Sequence, residues 1–340
     1  MRVSDLGEFG LIGRIAGLLP SPPPDVVVGI GDDVAVLRTS GPDYLLATCD
    51  SQVENVHFVR ENTTAYQLGR RVVAINVSDI AAMGGTPTWA LVSLVLPRDL
   101  RVGFVDELYL GMREAMQEAG AAIVGGNISK IQGDMVIDLF LLGRISPDKI
   151  VLRSGAMEGD MIMVTNTLGD SRAGLELLRH PLLKVSKASH DHVQMKHLTP
   201  QPRLQEGQIL AGSGYVHAMA DISDGLVSDL GHICRASHVG GEIWVDHLPI
   251  GPESREVAHA AGLDASQWAL GGGEDYELLF TVAPEFASNV QLAIENETGT
   301  KVHVVGQIVD ELQGIRLSLS NGEKIPCPPG PLGWDHFAVP

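Results

Sequence analysis

The chain has 340 residues, 44% hydrophobic and 5% aromatic, enough for two hydrophobic cores rather than one. Its formal net charge of −18 leaves no basic face for duplex nucleic acid or for an anionic membrane surface. A phosphate-bearing ligand remains compatible with such acidity when Mg²⁺ stands between the two sets of negative charge.

In chain order, "MRVSDLGEFGLIGRIAGLLP" carries Asp5 and Glu8 where a secretory leader needs a clean apolar core, and it reads as a short amphipathic helix. "YLLATC" reads as a strand, and residues 64–83 as a helix buried around most of its circumference. "TWALVSLVLP", "AAIVGG" and "DMVIDLFLLGRI" read as strands, with an amphipathic helix over 101–119 between the first two. These apolar runs are strand-sized and fall short of a membrane span. "SPDK" at 146–149 is linker-like, and the pattern restarts after it. "DMIMVTNTLGD" passes from strand to helix start, as does "VHAMADISDGLVSDLGHICRA". "EDYELLFTV" and "KVHVVGQI" are further strands around a helix near 284–297. The segment "SHDHVQMKH" offers His190, His192 and His197 at a spacing that binds Zn²⁺ adventitiously, but reads first as a solvated polar stretch. The expected fold class is α+β: two domains, each a mixed β-sheet with helices packed on one side, divided into 1–148 and 149–340. Cys49, Cys234 and Cys327 lie far apart with no CxxC spacing, which points to a reducing, cytoplasmic setting.

The chemistry-bearing residues are acids at strand ends and helix starts. They are Asp32 and Asp33 in "GIGDD", Asp50 in "ATCDSQVENVHF", Asp79 in "NVSDIAAMGG", Asp221 and Asp224 in "DISDGL", and Glu274 and Asp275 in "GGGEDYEL". None has a Lys or Arg near in sequence to neutralise it. Hard oxygen ligands spread over several elements suit a Mg²⁺ and phosphate site. Taken singly, each Asp reads first as a turn residue or helix N-cap. Asp79 resists that reading, because it stands inside an apolar helix with Asn76 one turn back. No GxxxxGK[ST] loop is present, and acids fill the spacing of "GIGDDVA" where a dinucleotide fingerprint would need to accept a pyrophosphate.

The ordered set "GIGDD", "VHF", "NVSDIAAMGG", "RSGAMEGD", "LGDSRAGL", "DISDGL", "GGGEDYEL" and the closing "GWDHF" resembles the thiamine-monophosphate kinase family, over nearly the whole chain. That family belongs to the superfamily of aminoimidazole-ribonucleotide synthetase, selenophosphate synthetase and HypE. The resemblance implies an enzyme that transfers a phosphoryl group from ATP to thiamine monophosphate. It also implies a homodimer with a β-barrel core built from the N-terminal domains, which would bind Mg²⁺ and ATP, and an active site between the domains. Carried over by motif, the metal ligands would be Asp33, Thr48, Asp50, Asp79, Asn127, Asp221 and Asp224, with Asp50, Asp79 and Asp221 at the catalytic centre. Gly125, Gly126, Asn127, Arg153 and Ser223 would contact ATP. His57, Glu274 and Trp334 would bind the acceptor. Asp32 falls in the motif but at no ligand position, and is assigned to the turn.

The residue types suit that chemistry on their own. A phosphate monoester is largely dianionic at neutral pH, so no strong base is needed; repulsion between two polyanions is the obstacle. A thiazolium cation suits an acid beside an aromatic face, as Glu274 and Trp334 provide. Two positions depart from the family pattern, which has Asp where Asn127 stands and commonly Thr where Cys49 stands. The alternatives are an ATP-dependent enzyme of the superfamily with another acceptor, and a non-catalytic nucleotide-binding homologue weakened at Asn127.

Overall fold

The computed structural model describes residues 2–327, 333–334 and 336–337. The first half contains α1 (Gly7–Ala16), β1 (Val26–Val28), β2 (Ala35–Arg38), β3 (Tyr44–Val53), α2 (Ala65–Ala82), β4 (Thr86–Pro97), α3 (Val102–Glu118), β5 (Ala122–Ile131) and β6 (Val136–Ile145). Its six strands pair in the order β1-β2-β3-β6-β4-β5. Only β4 and β5 run parallel, so the sheet is mixed.

Alternation along β4 and β6 sends Ala90, Val92, Leu94, Ile137, Leu139 and Leu141 into one core beneath α2 and α3. The two helices approach unusually closely. A Cβ on Gly69 would stand 2.1 Å from the Leu108 carbonyl oxygen, and one on Gly111 the same distance from that of Tyr66. Only glycine permits that crossing. Thr64 opens α2 with a capping box closed by Gln67. The opposite face of the sheet leaves Trp89, Leu91 and Phe140 exposed.

The second half contains β7 (Met161–Thr165), α4 (Asp170–Arg179), α5 (Lys187–Leu198), α6 (Leu204–Ser213), β8 (Val216–Asp221), α7 (Leu226–Ser237), β9 (Gly240–Trp244), α8 (Pro252–Ala261), α9 (Ala265–Gly271), β10 (Leu278–Val282), α10 (Pro284–Thr298), β11 (Val302–Val309), β12 (Ile315–Ser318) and β13 (Lys324–Pro326). The seven strands pair as β13-β12-β9-β11-β7-β10-β8, mixed again because β12 and β9 are parallel. Here the expectation of helices on one side needs correction. Ile162, Val164 and Leu279 pack with Leu226, Leu230 and Ile233 of α7, whereas Met163, Leu278 and Phe280 pack with Val290 and Ile294 of α10. Both faces are covered, which is why these strands are continuous apolar runs instead of alternating ones. Edge strand β8 abuts the first domain: Ala82 of α2 belongs to the same cluster as Met219.

Two further expectations change in detail. "SHDHVQMKH" is not a solvated stretch but most of α5, with Ser189, Val193 and His197 buried. The strand expected from Glu274 begins only at Leu278, because Glu274 and Tyr276 have φ of 58° and 51°. Left-handed residues cannot continue a ladder. Among the described residues, no helix is long and apolar enough to cross a membrane.

Candidate active site

Asp33 lies between β1 and β2, Asp79 on α2, and Asp221 ends β8. One oxygen of each lies within 4.8 Å of the others. Their neighbours fix them from several directions. Thr48 Oγ1 donates to Asp79 Oδ2 at 2.5 Å and Ser78 Oγ to Asp221 Oδ2 at 2.6 Å. The backbone N–H of Asp50 donates to Asn76 Oδ1 at 3.1 Å, which pins β3 to α2. Arg153 donates to Asp33 Oδ1 at 2.5 Å, while its own backbone N–H reaches Asp32 Oδ2 at 3.2 Å. Asp32 also accepts the backbone N–H of Asp33 at 3.0 Å, the geometry of a turn-supporting residue.

Burial dominates the electrostatics of this cluster. It pushes Asp79 well above the ordinary carboxylate range, with the charges of Asp50, Asp221 and Asp33 adding to the effect. Burial and the Asp33 charge raise Asp221 to about 8. Asp50 rises to about 6 through burial and then the Glu8 charge. Burial raises Asp33 also, against the opposing pull of Arg153. Asp33 Oδ2 is buried with no hydrogen-bond partner among the described residues. A set of hard oxygen donors, mutually repelling and with one acceptor left over, fits a divalent cation such as Mg²⁺.

A cleft of about 630 Å³ opens beside the cluster, and Asp50, His57, Ser223, Asp224, Glu274 and Trp334 all line it. The loop holding Ser223 and Asp224 meets the glycine-rich loop before Glu274 backbone to backbone. A Cβ on Gly225 (φ 124°) would come within 2.8 Å of Gly271 Cα, and one on Gly273 within 2.9 Å of the Ser223 carbonyl oxygen. The backbone N–H of Glu274 donates to that same oxygen at 2.6 Å, and Trp334 donates to the Asp224 carbonyl at 3.1 Å. His57 Nδ1 accepts the backbone N–H of Val53 at 2.9 Å. Burial and the nearby His336 hold the His57 imidazole down to about 4, so it is neutral. Asp224 also shares a group with Asp229 and His232, whose ligand atoms lie within 4.8 Å of one another. There Asp229 Oδ2 accepts the backbone N–H of Gly225 at 3.0 Å and caps α7.

Other expected residues stand elsewhere. Asp275, grouped with the cleft acids on sequence, points away: its carboxylate accepts the backbone N–H of Gly169 at 2.7 Å and of Ser171 at 3.2 Å, at the start of α4. Gly125, Gly126 and Asn127 lie on edge strand β5. The register sets Asn127 in the row Ser51–Asp138–Ser93–Asn127, on the sheet face opposite the helices. Asp50 belongs to the next row, Asp50–Leu139–Val92–Gly126, whose Leu139 and Val92 point into the core. Within one chain, Asn127 and the carboxylate cluster therefore stand on opposite sides of the sheet.

Sequence reasoning missed the cleft residues Arg172 and Arg179 and, behind the wall, Arg71, and it weighed His197 only as an adventitious Zn²⁺ ligand. Arg71 forms an ion pair with Glu274 although 203 positions separate them. Its signal was available, since a cation inside the apolar helix "GRRVVAINVSD" needs a partner as much as Asp79 does.

Comparison with known proteins gives a consistent picture. Residues 31–145 match the family model of the AIR synthase related protein N-terminal domain, and residues 157–316 that of the C-terminal domain. The chain is 38% identical to the thiamine-monophosphate kinase of Aquifex aeolicus, covering 99% of this chain and 100% of that one. It is 35% identical to that of Escherichia coli K12, over 98% and 99%. The solved structure of AaThiL complexed with AMPPCP and TMP superposes with a TM-score of 0.85 at 36% identity, covering 99% of both chains. The chain belongs to the thiamine-monophosphate kinase family, within the AIR synthase related proteins.

Proposed function

We propose that this chain transfers the γ-phosphoryl group of ATP to thiamine monophosphate, yielding thiamine diphosphate and ADP. The observation that carries this reading is one cleft that joins two chemically different sets of groups. A buried carboxylate cluster with a spare oxygen acceptor lies beside it, and Asp50, whose charge acts on Asp79, lines it together with Glu274 and Trp334. The named activity of the relatives and the nucleotide analogue in AaThiL support it.

Asp33, Asp50, Asp79 and Asp221, aided by Thr48 and Asp224, would hold Mg²⁺, which supplies neutralisation of the polyanions that must meet. Arg153 and Ser223 would contact the nucleotide. Arg153 Nε is buried without a partner among the described residues, a donor left for a phosphate oxygen. An oxygen of the acceptor phosphate attacks the γ-phosphorus in line as the bond to the ADP oxygen breaks. No covalent enzyme intermediate is needed, and the acceptor is already dianionic. Glu274 and Trp334 would receive the thiazolium cation, with His57 beside them as a neutral imidazole.

The exposed apolar residues Trp89, Leu91 and Phe140 support a homodimer joined through the bare face of the first sheet into a β-barrel. Gly125, Gly126 and Asn127 then lie along that seam, and any contact they make with ATP is made from it. We place the domain division at residue 148, in the turn after β6, and the protein in the cytoplasm, consistent with its three unbridged cysteines.

The test is direct. With ATP, Mg²⁺ and thiamine monophosphate, chromatography should show thiamine diphosphate in one-to-one ratio with ADP. Tight Mg-ATP binding without that product would move the assignment to another acceptor.

A further inference from the structure

Arg71 is the most buried cation of the cleft region, its side chain 1% exposed, and it touches no reacting group. Each side of its guanidinium meets a different segment. Nε donates to Gln52 Oε1 at 3.1 Å, one terminal nitrogen donates to the His197 carbonyl at 2.7 Å, and the other to Glu274 Oε1. Gln52 lies two residues beyond Asp50 on the same face of β3, and Arg71 precedes Asp79 on α2 by about two turns. His197 lies in the last turn of α5, and Glu274 belongs to the glycine-rich loop of the second domain.

We infer that Arg71 is the positioning residue of the acceptor end: it holds the Glu274 carboxylate in the cleft and ties its loop to the two elements that carry Asp50 and Asp79. This rests on the reading of Glu274 as the acceptor's acid. Three observations favour it over a generic domain tie. Glu274 sits in a left-handed backbone conformation, φ 58°, which a non-glycine residue keeps only where its surroundings enforce it. Its other oxygen, Oε2, lies 3.5 Å from His197 Nδ1, and that ring is itself held by Ser171 Oγ at 3.0 Å. The imidazole is buried and neutral, so Arg71 supplies the positive charge facing Glu274. The carboxylate cluster, in contrast, is fixed by the Thr48 and Ser78 hydroxyls, which donate to Asp79 and Asp221, and by the Asp50 backbone N–H, which donates to Asn76 Oδ1, and none of these bonds involves Arg71. Loss of Arg71 should therefore loosen the acceptor end while leaving the nucleotide end in place.

That asymmetry is measurable in the full-length enzyme. Wild-type turnover of thiamine monophosphate is measured first; its absence would overturn the functional reading and this inference with it. Given turnover, Arg71→Met should raise KM for thiamine monophosphate at least about tenfold while KM for ATP stays within about twofold. Arg71→Lys, a point charge that cannot span three partners, should recover part of that loss. In a Glu274→Gln background, Arg71→Met should add little to the acceptor KM, because both changes remove one interaction. Equal changes in both KM values, or full additivity of the two substitutions, would overturn the inference. If Arg71→Met does not fold, Arg71→Lys decides alone: a raised acceptor KM with unchanged ATP KM supports it, and unchanged values for both overturn it.

Discussion

The two ends of the cleft treat negative charge in opposite ways. Among the described residues, Arg153 is the one cation that pairs with a member of the set Asp33, Asp50, Asp79 and Asp221, at Asp33; burial and the neighbouring acids raise Asp50 to about 6, Asp221 to about 8 and Asp79 well above the ordinary carboxylate range. Glu274, which lines the same cleft, is matched by a buried guanidinium and braced by a neutral imidazole. Where compensation is missing, a cation has to come from outside the chain. Where it is complete, the carboxylate is already aimed and awaits only a ligand of the right charge. The first arrangement suits binding metal that follows the nucleotide, and the second suits recognition of a fixed organic cation.

Removing one member of the uncompensated end should have the largest effect. Asp79→Asn keeps shape but removes a charge, and several kcal/mol of charge neutralisation at the transferring phosphoryl group corresponds to about a thousandfold or more in turnover. The same substitution should raise the melting temperature of the metal-free protein by several degrees, because it relieves repulsion among buried carboxylates. Rate assays and thermal unfolding in EDTA read the two effects separately. A variant that lost activity and stability together would mean Asp79 serves the fold instead.

A milder probe is pH. A carboxyl whose folded-state pKa is raised holds its proton longer when folded, so its contribution to stability falls as pH climbs from the ordinary value of 3.8 towards the raised one. For Asp221 that window ends at about 8. The metal-free protein should therefore lose melting temperature between pH 5 and pH 8, less so as Asp221→Asn. The rise produced by Mg²⁺ should grow over the same interval, since fewer protons must leave. A Mg²⁺ increment independent of pH would place the metal away from these carboxylates.

Much of this contrast is legible in the sequence, through rules that work one residue at a time. Asp79 announces itself as a charge inside an apolar helix, whereas the division of labour between Asp32 and Asp33 comes from the family resemblance, which gives Asp33 a ligand position and Asp32 none. The rest depends on distant encounters. Arg71, a cation inside an apolar helix, signals the need for a partner but not which one; only the fold brings the end of α5 and the glycine-rich loop to it. Glu274 and Asp275 are adjacent acids with opposite fates, because the left-handed turn at Glu274 sends one into the cleft and the other to the start of α4. The helices on both faces of the second sheet were implicit in its unbroken apolar strands, but which helix covers which face is a matter of topology.

The smallest expected effect comes from the aromatic at the compensated end. Trp334 is half exposed, lies 5.7 Å from the His336 ring in an edge-on arrangement, and is tied to Asp224 by its backbone alone. At such exposure, a cation over an indole contributes about 0.5–1 kcal/mol, a factor of about two to five in affinity. Trp334→Leu should raise the acceptor KM by that factor, and Trp334→Phe by less, with kcat and the ATP KM unchanged. The comparison is sharpest with Glu274→Gln, whose part-buried, paired carboxylate should cost more than the exposed ring. Should Trp334→Leu instead lower kcat and raise both KM values, the indole would be a cover that excludes water from the carboxylate end, and recognition of the cation would rest on Glu274 alone.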